Sequence, residues 1–285
     1  MNKEQENKNK RPLVKLLQEI TKEEGVEMKT FSRDWIITLE KNGKVGRIFG
    51  YNFSLNDSFS AKAAQDKVAT TLLLQDENIP VLEHVLVSHP RILKDYYGRE
   101  EGNWDFVKDF AKKHDYKIVL KPNNGGGGNG IEFVNSEIDL EIAIQDMHSK
   151  NRDIAISPRL DINEEIRCIY LDGEILLAYK KERPSEIIDG EKVFTSNQHN
   201  LSKGAEPIIL DPGSDEYRQA TELAIKASEA IGIRFSSTDV ILVNGEYKIL
   251  EINSGVFMNN FMGYSEENYS IAKEIHRRAL QKMFD

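Results

Sequence analysis

Three oxygen-bearing residues near the end of the chain, Asp239, Glu251 and Asn253, and one lysine in its middle, Lys121, are the positions most suited to chemistry. The runs STDVILV and YKILEIN carry the first three and flank Asn244-Gly245, which reads as a β-hairpin. Hard oxygen ligands are uncommon inside strands. Alternation puts Glu251 and Asn253 on one face, as a Mg²⁺ site requires. A strict two-residue turn pairs Val243 with Glu246 and sets Asp239 opposite Leu250, away from Glu251. A three-residue loop, Val243-Asn244-Gly245, with a bulge at the glycine moves Asp239 onto the carboxylate face, so the metal reading predicts a bulge. Solvated strand-end acids are the plainer reading of the same residues.

Lys121 ends the apolar run YKIVL and opens the stretch KPNNGGGGNGI. A cation at the end of a buried strand is costly without an anionic partner, and Pro122 stiffens the exit. Gly125, Gly127 and Gly130 satisfy G-x-G-x-x-G, but four consecutive glycines satisfy most glycine patterns. A dinucleotide fold needs a helix next, whereas IEFV reads as a strand. No Gly-Lys-Ser/Thr follows, so a P-loop is excluded. Strand, glycine loop, strand describes a flap that closes over phosphates with its backbone N–H groups. The chain lacks H-R-D and D-F-G, the catalytic parts of a protein kinase. A surface turn is the alternative for the glycines alone.

The elements that must position these groups follow from periodicity. A short helical pattern (Val14 to Ile20) and two strand-like runs, WIITLE and VGRIFGYNF, precede a helix from about Ala61 to Gln75 capped by Ser60. VLEHVLV and DIAIS read as strands. Asn103 and the Ser136–Asp139 capping box open helices. EIRCIYLDGEILLAYKK is a hairpin, residues 181–215 are a long polar stretch, and Asp215–Ile231 and Ser265–Met283 read as helices. Strands and helices mix with two hairpins, which predicts an α+β fold over a doubly wound sheet.

The 285 residues, 39% hydrophobic and 30% charged, describe a soluble globular chain. A net charge of −9 argues against a nucleic-acid partner. No apolar run approaches a bilayer span, and the polar start, expected as a disordered tail over residues 1–11, lacks a secretory h-region. The single cysteine, Cys168, reads as a buried inert thiol and points to a reducing cytoplasm.

Taken in order, these motifs resemble the ATP-grasp superfamily of carboxylate–amine ligases, most closely the branch of protein- and peptide-modifying glutamate ligases. Asp66-Lys67 resembles the Asp-Lys whose lysine contacts ATP phosphate. Lys121 with Gly125, Gly126, Gly127, Gly128, Asn129, Gly130 and Ile131 resembles the second ATP lysine and the flap. Ser157, Pro158, Arg159 and Leu160 resemble the hinge that hydrogen-bonds adenine. Glu165 and Arg167 resemble the ribose-side acid and the arginine that follows. Asn200-Leu-Ser-Lys203-Gly-Ala resembles Asn-Leu-x-Arg/Lys-Gly-Gly, and Asp239, Glu251 and Asn253 resemble the magnesium triad.

The resemblance covers residues 60–285. It implies two α+β lobes sandwiching ATP, a nucleotide lobe at 76–156 and a catalytic lobe at 157–285, behind a reduced substrate domain at 1–60. The run NSGVFMNNFM replaces the Pro-Gly usual after the triad, so the substrate loop is altered. The implied chemistry is amide formation through an acyl phosphate on an amino acid or peptide, with ATP and one or two Mg²⁺ (or Mn²⁺). Lys67 and Lys121 hold phosphates; Arg167, Arg183, Lys203 and Asn200 are the catalytic candidates. His199 is a further candidate as base or γ-phosphate sensor. A small-molecule kinase or a non-enzymatic ATP-binding module are the alternatives. The small first domain also suits a self-association contact.

Overall fold

Pro12 starts helix α1 (Pro12–Glu24), which buries Leu13, Val14, Leu16, Leu17 and Ile20 along one side and ends at Gly25 in the left-handed region (φ 63°). The computed structural model describes residues 10–87, 104–125, 129–150, 153–188, 191–194 and 199–285. Of the expected tail, residues 1–9 lie outside these. Arg11 is not a loose end: its guanidinium donates to the carbonyls of Gly50 and Asp34 and lies over the rings of Trp35 and Tyr51.

Strands β1 (Glu27–Phe31), β2 (Ile36–Lys41), β3 (Lys44–Phe49) and β4 (Asn52–Phe53) form an antiparallel sheet in chain order. Its inward residues Ile37, Leu39 and Ile48 share a core with α1 and with Phe235, Val256, Phe261 and Ala272, so residues 12–55 have no apolar core to themselves.

The single helix expected over 61–75 is two. Asp57 caps α2 (Ser58–Gln65) and Asp66 caps α3 (Lys67–Asp76). The Asp66 carboxylate accepts from Ala69 N at 2.8 Å, which requires extended backbone at Asp66 and so ends one helix to begin the next. Lys67 therefore occupies the first turn of α3.

The next lobe holds β5 (Val85–Val87), α4 (Trp104–Lys113), β6 (Ile118–Pro122), β7 (Glu132–Val134), α5 (Glu137–Lys150) and β8 (Ile154–Pro158), with strand order β5-β8-β6-β7. Val87, Ile118, Leu120, Val134, Ile154 and Ile156 pack with apolar residues of α4 and α5. Alternation leaves Lys121, Ala155 and Ser157 on the opposite face. The last lobe is a five-stranded antiparallel sheet, β13-β10-β9-β14-β15, built from β9 (Glu164–Leu171), β10 (Glu174–Glu182), β13 (Glu206–Ile209), β14 (Phe235–Val243) and β15 (Glu246–Asn253). Helix α6 (Asp215–Ile231) covers one face through Ala220, Ala224, Ala227 and Ile231. The polar stretch 181–215 contains β13, the hairpin β11 (Ser185–Ile188) and β12 (Glu191–Phe194), and a 3₁₀ turn (Leu201–Lys203). Helices α7 (Asn259–Met262) and α8 (Glu266–Lys282) close the chain. The α+β expectation is what the sheets show.

Candidate functional site

The β14–β15 turn is the strict two-residue form: Asn244 and Gly245 take positive φ (52° and 81°) and Val243 pairs with Glu246. A bulge is present, but not at the glycine. The register passes from Val240↔Ile249 to Asp239↔Glu251, leaving Leu250 as the extra residue. The cause lies on the other face. Ile249 and Ile252, an odd number apart, are both buried in the α6 core, which a regular strand forbids. The bulge turns both inward and so sets Asp239, Glu251 and Asn253 together, with Ser237 opposite Asn253.

The β9–β10 hairpin carries a second irregularity, between Ile175 and Leu177. It brings Lys181 beside Glu165, with Lys181 Nζ 2.5 Å from Glu165 Oε1 and 2.9 Å from Asp239 Oδ1. Arg167 completes the group, its Nε and Nη2 donating to the two Asp239 oxygens at 2.7 and 2.6 Å. Burial works to raise the Asp239 carboxyl, but the two cations outweigh it and hold the group well below the usual carboxylate range. Arg167 thus reaches the site with one edge committed to Asp239.

Across from this sheet, Lys67 Nζ donates to Gly125 O at 2.6 Å and lies 3.9 Å from Glu251 Oε2. The β6 exit is tied to α3: Asn123 is buried, its Oδ1 accepts from Val68 N at 3.2 Å, and its carbonyl faces Lys67. Lys121 follows a different rule. No hydrogen bond or ion pair among the described residues reaches its ammonium, although Glu251 and Glu165 act on it through space. Burial, with help from Lys67, pushes Lys121 down to about 8.

Gly125, Asn129 and Gly130 are exposed, Gly130 with φ 67°; Gly126, Gly127 and Gly128 lie outside the described residues. A Cβ at Gly130 would sit 3.2 Å from Pro122 Cγ. Ser157 is buried on the Lys121 face, and Pro158 ends β8. The Arg159 N–H donates to Lys117 O at 2.8 Å, so that amide is already used, while Leu160 is half-buried. Asn200 is brought in as a cap, its Oδ1 accepting from Ser202 N at 3.0 Å, and Lys203 is exposed on the turn that follows. His199 is buried and its Nδ1 meets Lys181 O at 3.0 Å. Cys168 is fully buried, and burial pushes its thiol far up.

Sequence reasoning missed Lys181, Asn123 and His84. A regular hairpin about Asp172-Gly173 would set Lys180 across from Glu165, and only the irregularity between Ile175 and Leu177 moves Lys181 there. His84 is buried, its Nδ1 3.2 Å from Thr71 Oγ1, and burial with Lys121 and Lys67 holds it neutral.

A profile described as D-ala D-ala ligase C-terminus matches residues 73–266. The chain belongs to the D-ala D-ala ligase C-terminus family. It is 27% identical over 172 residues to a D-alanine--D-alanine ligase of Thermosipho africanus, covering 57% of this chain and 42% of that one. It is 22% identical over 204 residues to a probable alpha-L-glutamate ligase of Psychromonas ingrahamii, covering 71% of this chain and 59% of that one. The chain spans about half the length of the curated relatives it matches. The structure of a Bacillus anthracis D-alanine--D-alanine ligase complexed with ATP superposes with a TM-score of 0.59 at 15% identity, over 80% of this chain and 71% of that one. The family member thus has the ATP-grasp fold. In it the five-stranded sheet and the β5–β8 lobe face each other across Lys67, Lys121 and Glu251. No helix of the described residues is long and apolar enough to cross a membrane.

Proposed function

We propose that this chain is an ATP-dependent carboxylate–amine ligase acting on an amino acid or peptide, in the cytoplasm. The observation that carries the reading is Lys121: a half-buried lysine whose ammonium has no hydrogen-bond partner among the described residues, beside a buried lysine, Lys67, and facing Glu251. Two such cations beside one carboxylate leave positive charge that a further anion would neutralise. A polyphosphate is an anion of that kind.

The donor set suits a divalent cation of the hard class. Asn253 Nδ2 donates to Glu251 Oε1 at 3.3 Å, which leaves the Asn253 carbonyl oxygen and the rest of the Glu251 carboxylate as ligands. Asp239 accepts two hydrogen bonds from Arg167, pairs with Lys181 through Oδ1 at 2.9 Å, and keeps one lone pair on Oδ2. Glu251, Asn253 and that lone pair would hold Mg²⁺. No group of three or more His, Cys, Asp or Glu forms a metal cluster among the described residues, so the set is two acids and an amide. When bound, Mg²⁺ supplies charge neutralisation of the phosphate oxygens.

A substrate carboxylate oxygen attacks the γ-phosphorus, the bond to the β-phosphate oxygen breaks, and ADP leaves an acyl phosphate. An amine then attacks the acyl carbon, loses a proton and expels inorganic phosphate, leaving an amide. Lys67 and Lys121 orient the chain of phosphates, and Arg167 and Lys203 serve the transferred group. Glycine freedom lets the loop close and keep water from the acyl phosphate.

Release of ADP and phosphate with ATP and Mg²⁺, across pools of amino acids and peptides, tests this against Lys121→Met. Equal ADP and phosphate, requiring both an acid and an amine, is the expected result. ADP without phosphate identifies a kinase instead, and tight ATP binding without turnover on any pool overturns the enzymatic reading.

A further inference from the structure

His84 is buried beside Lys121 and Lys67, only 3% exposed, and takes no part in the chemistry outlined above. It lies one residue before β5. The chain leading to it is fastened to the strand that carries Glu251: Leu82 N donates to Ile249 O at 2.8 Å, and Pro80 O accepts from Ile249 N at 2.9 Å. From the other side comes Thr71, one turn after Lys67 on α3. Its hydroxyl oxygen is 3.2 Å from Leu82 O and 3.2 Å from His84 Nδ1. The ring is thus wedged between the helix of one lysine and the strand of the triad.

These contacts fix which ring nitrogen holds the proton. Leu82 O can only accept, and the single Thr71 hydroxyl proton is donated to it. The Thr71 oxygen then has only lone pairs to offer the ring, so Nδ1 must bring the hydrogen. Leu82 O itself lies close enough to the ring to favour a proton on that side. Nε2 is left as a bare lone pair, buried, with no hydrogen-bond partner among the described residues. The other tautomer would set a buried, unpaired N–H beside two positive charges, which is worse on both counts.

Lys121 has the complementary need. Its ammonium carries three N–H bonds, and no hydrogen-bond partner reaches it among the described residues. The two groups share a face of the lobe. Lys121 pairs with Ala155 across β6 and β8, and Ala155 pairs with Leu86 across β8 and β5. His84 stands two residues before Leu86, which keeps it on the same side of the sheet. A donor without an acceptor and an acceptor without a donor therefore lie next to one another.

We infer that His84 is a positioning residue for Lys121: its Nε2 accepts one ammonium N–H, which leaves the other two aimed at the nucleotide phosphates. The structure shows no hydrogen bond between them, and the flexible four-carbon stem of the lysine supplies the rotation that joins them. A neutral acceptor is the suitable partner at this place. A carboxylate would cancel the charge that has to attract an anion, whereas an imidazole lone pair directs the ammonium and leaves its charge intact. The role rests on the reading of Lys121 as a phosphate-binding lysine, but the contact itself does not.

Two substitutions divide the ring. Asparagine reproduces the donor at Nδ1 and has nothing at Nε2, while glutamine reaches the Nε2 position with an acceptor and gives up Nδ1. In the full chain, His84→Asn is expected to unfold in urea near the parent midpoint and to bind ATP about tenfold or more weakly by calorimetric titration. His84→Gln should unfold earlier yet recover most of the ATP affinity. Independently of ATP, ¹⁵N spectra of histidine-labelled protein at pH 7 should show His84 Nε2 without a proton. Its resonance should move in Lys121→Met toward that of a nitrogen with no donor. A proton on Nε2, or a resonance that ignores Lys121→Met, overturns the contact. ATP binding by His84→Asn at parent strength overturns the role, and so does equal weakening in both variants, which assigns the ring to folding alone. If the parent itself fails to bind ATP while Nε2 still reports Lys121, the contact stands and the nucleotide reading of the site falls.

Discussion

Asp239 and Glu251 face each other across the β14–β15 ladder because Leu250 is looped out of it. Their roles nevertheless differ. Asp239 is buried under Arg167 and Lys181, whereas Glu251 is half-buried, 3.9 Å from Lys67 and open to the cleft. Asp239→Asn leaves two buried cations facing a neutral amide, and removing one partner of a buried pair costs about 3–5 kcal/mol. Urea unfolding of that variant should show a loss of this order. Glu251→Gln should unfold within about 1 kcal/mol of the parent while losing Mg²⁺-dependent turnover by about a hundredfold or more. Equal stability of the two variants would contradict the division of roles.

Lys121 stores a cost in the free protein. Its ammonium is held down to about 8 against an ordinary 10.5, so between these values the unfolded chain binds more protons. Stability therefore rises with pH across that window, and near neutrality the buried charge costs roughly 1–3 kcal/mol. Lys121→Met should stabilise the ligand-free chain at pH 7 by up to that amount while abolishing ATP binding. In the parent, ATP affinity should fall as pH rises through about 8, when the ammonium loses its proton. Calorimetric titration with ATP at a series of pH values checks both signs.

How far these features could be read from sequence follows from how local they are. Lys121, the glycine loop and the oxygen triad announce themselves through residue type within single strands. The α6 span is carried by its own caps, Ser214 and Gly232, and is legible for that reason. The bulge was legible as a requirement and not as a position. A turn residue looked like its cause, while the actual cause, Ile249 and Ile252 both seeking the α6 core, needs the tertiary partner. Lys181 was hidden because an exposed lysine and a buried one are the same letter until the β10 irregularity sets the register. The break at Asp66 was hidden for a related reason: alanines and leucines continue the helical period through it, and only the Asp66 side chain decides otherwise.

His276 gives the fold an acid limit unrelated to the cleft. It is fully buried in α8 against Phe53 and Phe235, with Nδ1 2.7 Å from Ala272 O. Burial lowers it from 6.5 to about 4, so it stays neutral in the folded chain while the unfolded chain is protonated. Its contribution is complete above about 6.5 and is lost as pH falls toward 4, by roughly 2–3 kcal/mol. Denaturant midpoints measured from pH 7 to 4 should fall, and His276→Gln should flatten that slope. A slope unchanged by the substitution would assign the acid sensitivity to other groups.

Asn123 is the joint between the two lysines. Its side-chain oxygen accepts from Val68 N in the first turn of α3, its N–H donates to Asp153 O at 3.0 Å, and its carbonyl faces both Lys67 N and Nζ. The β6 exit that carries Lys121 is thereby fastened to the helix that carries Lys67. Asn123→Leu keeps the volume but leaves the Val68 N–H without its partner, at a cost of about 1–3 kcal/mol. The larger effect should fall on function, because the spacing of the two ammonium groups is no longer fixed. ATP should bind about tenfold or more weakly, while Asn123→Asp, which retains an acceptor for Val68, should recover part of that loss. If Asn123→Leu loses stability and binds ATP as tightly as the parent, the two lysines are positioned by other contacts and the joint is structural alone.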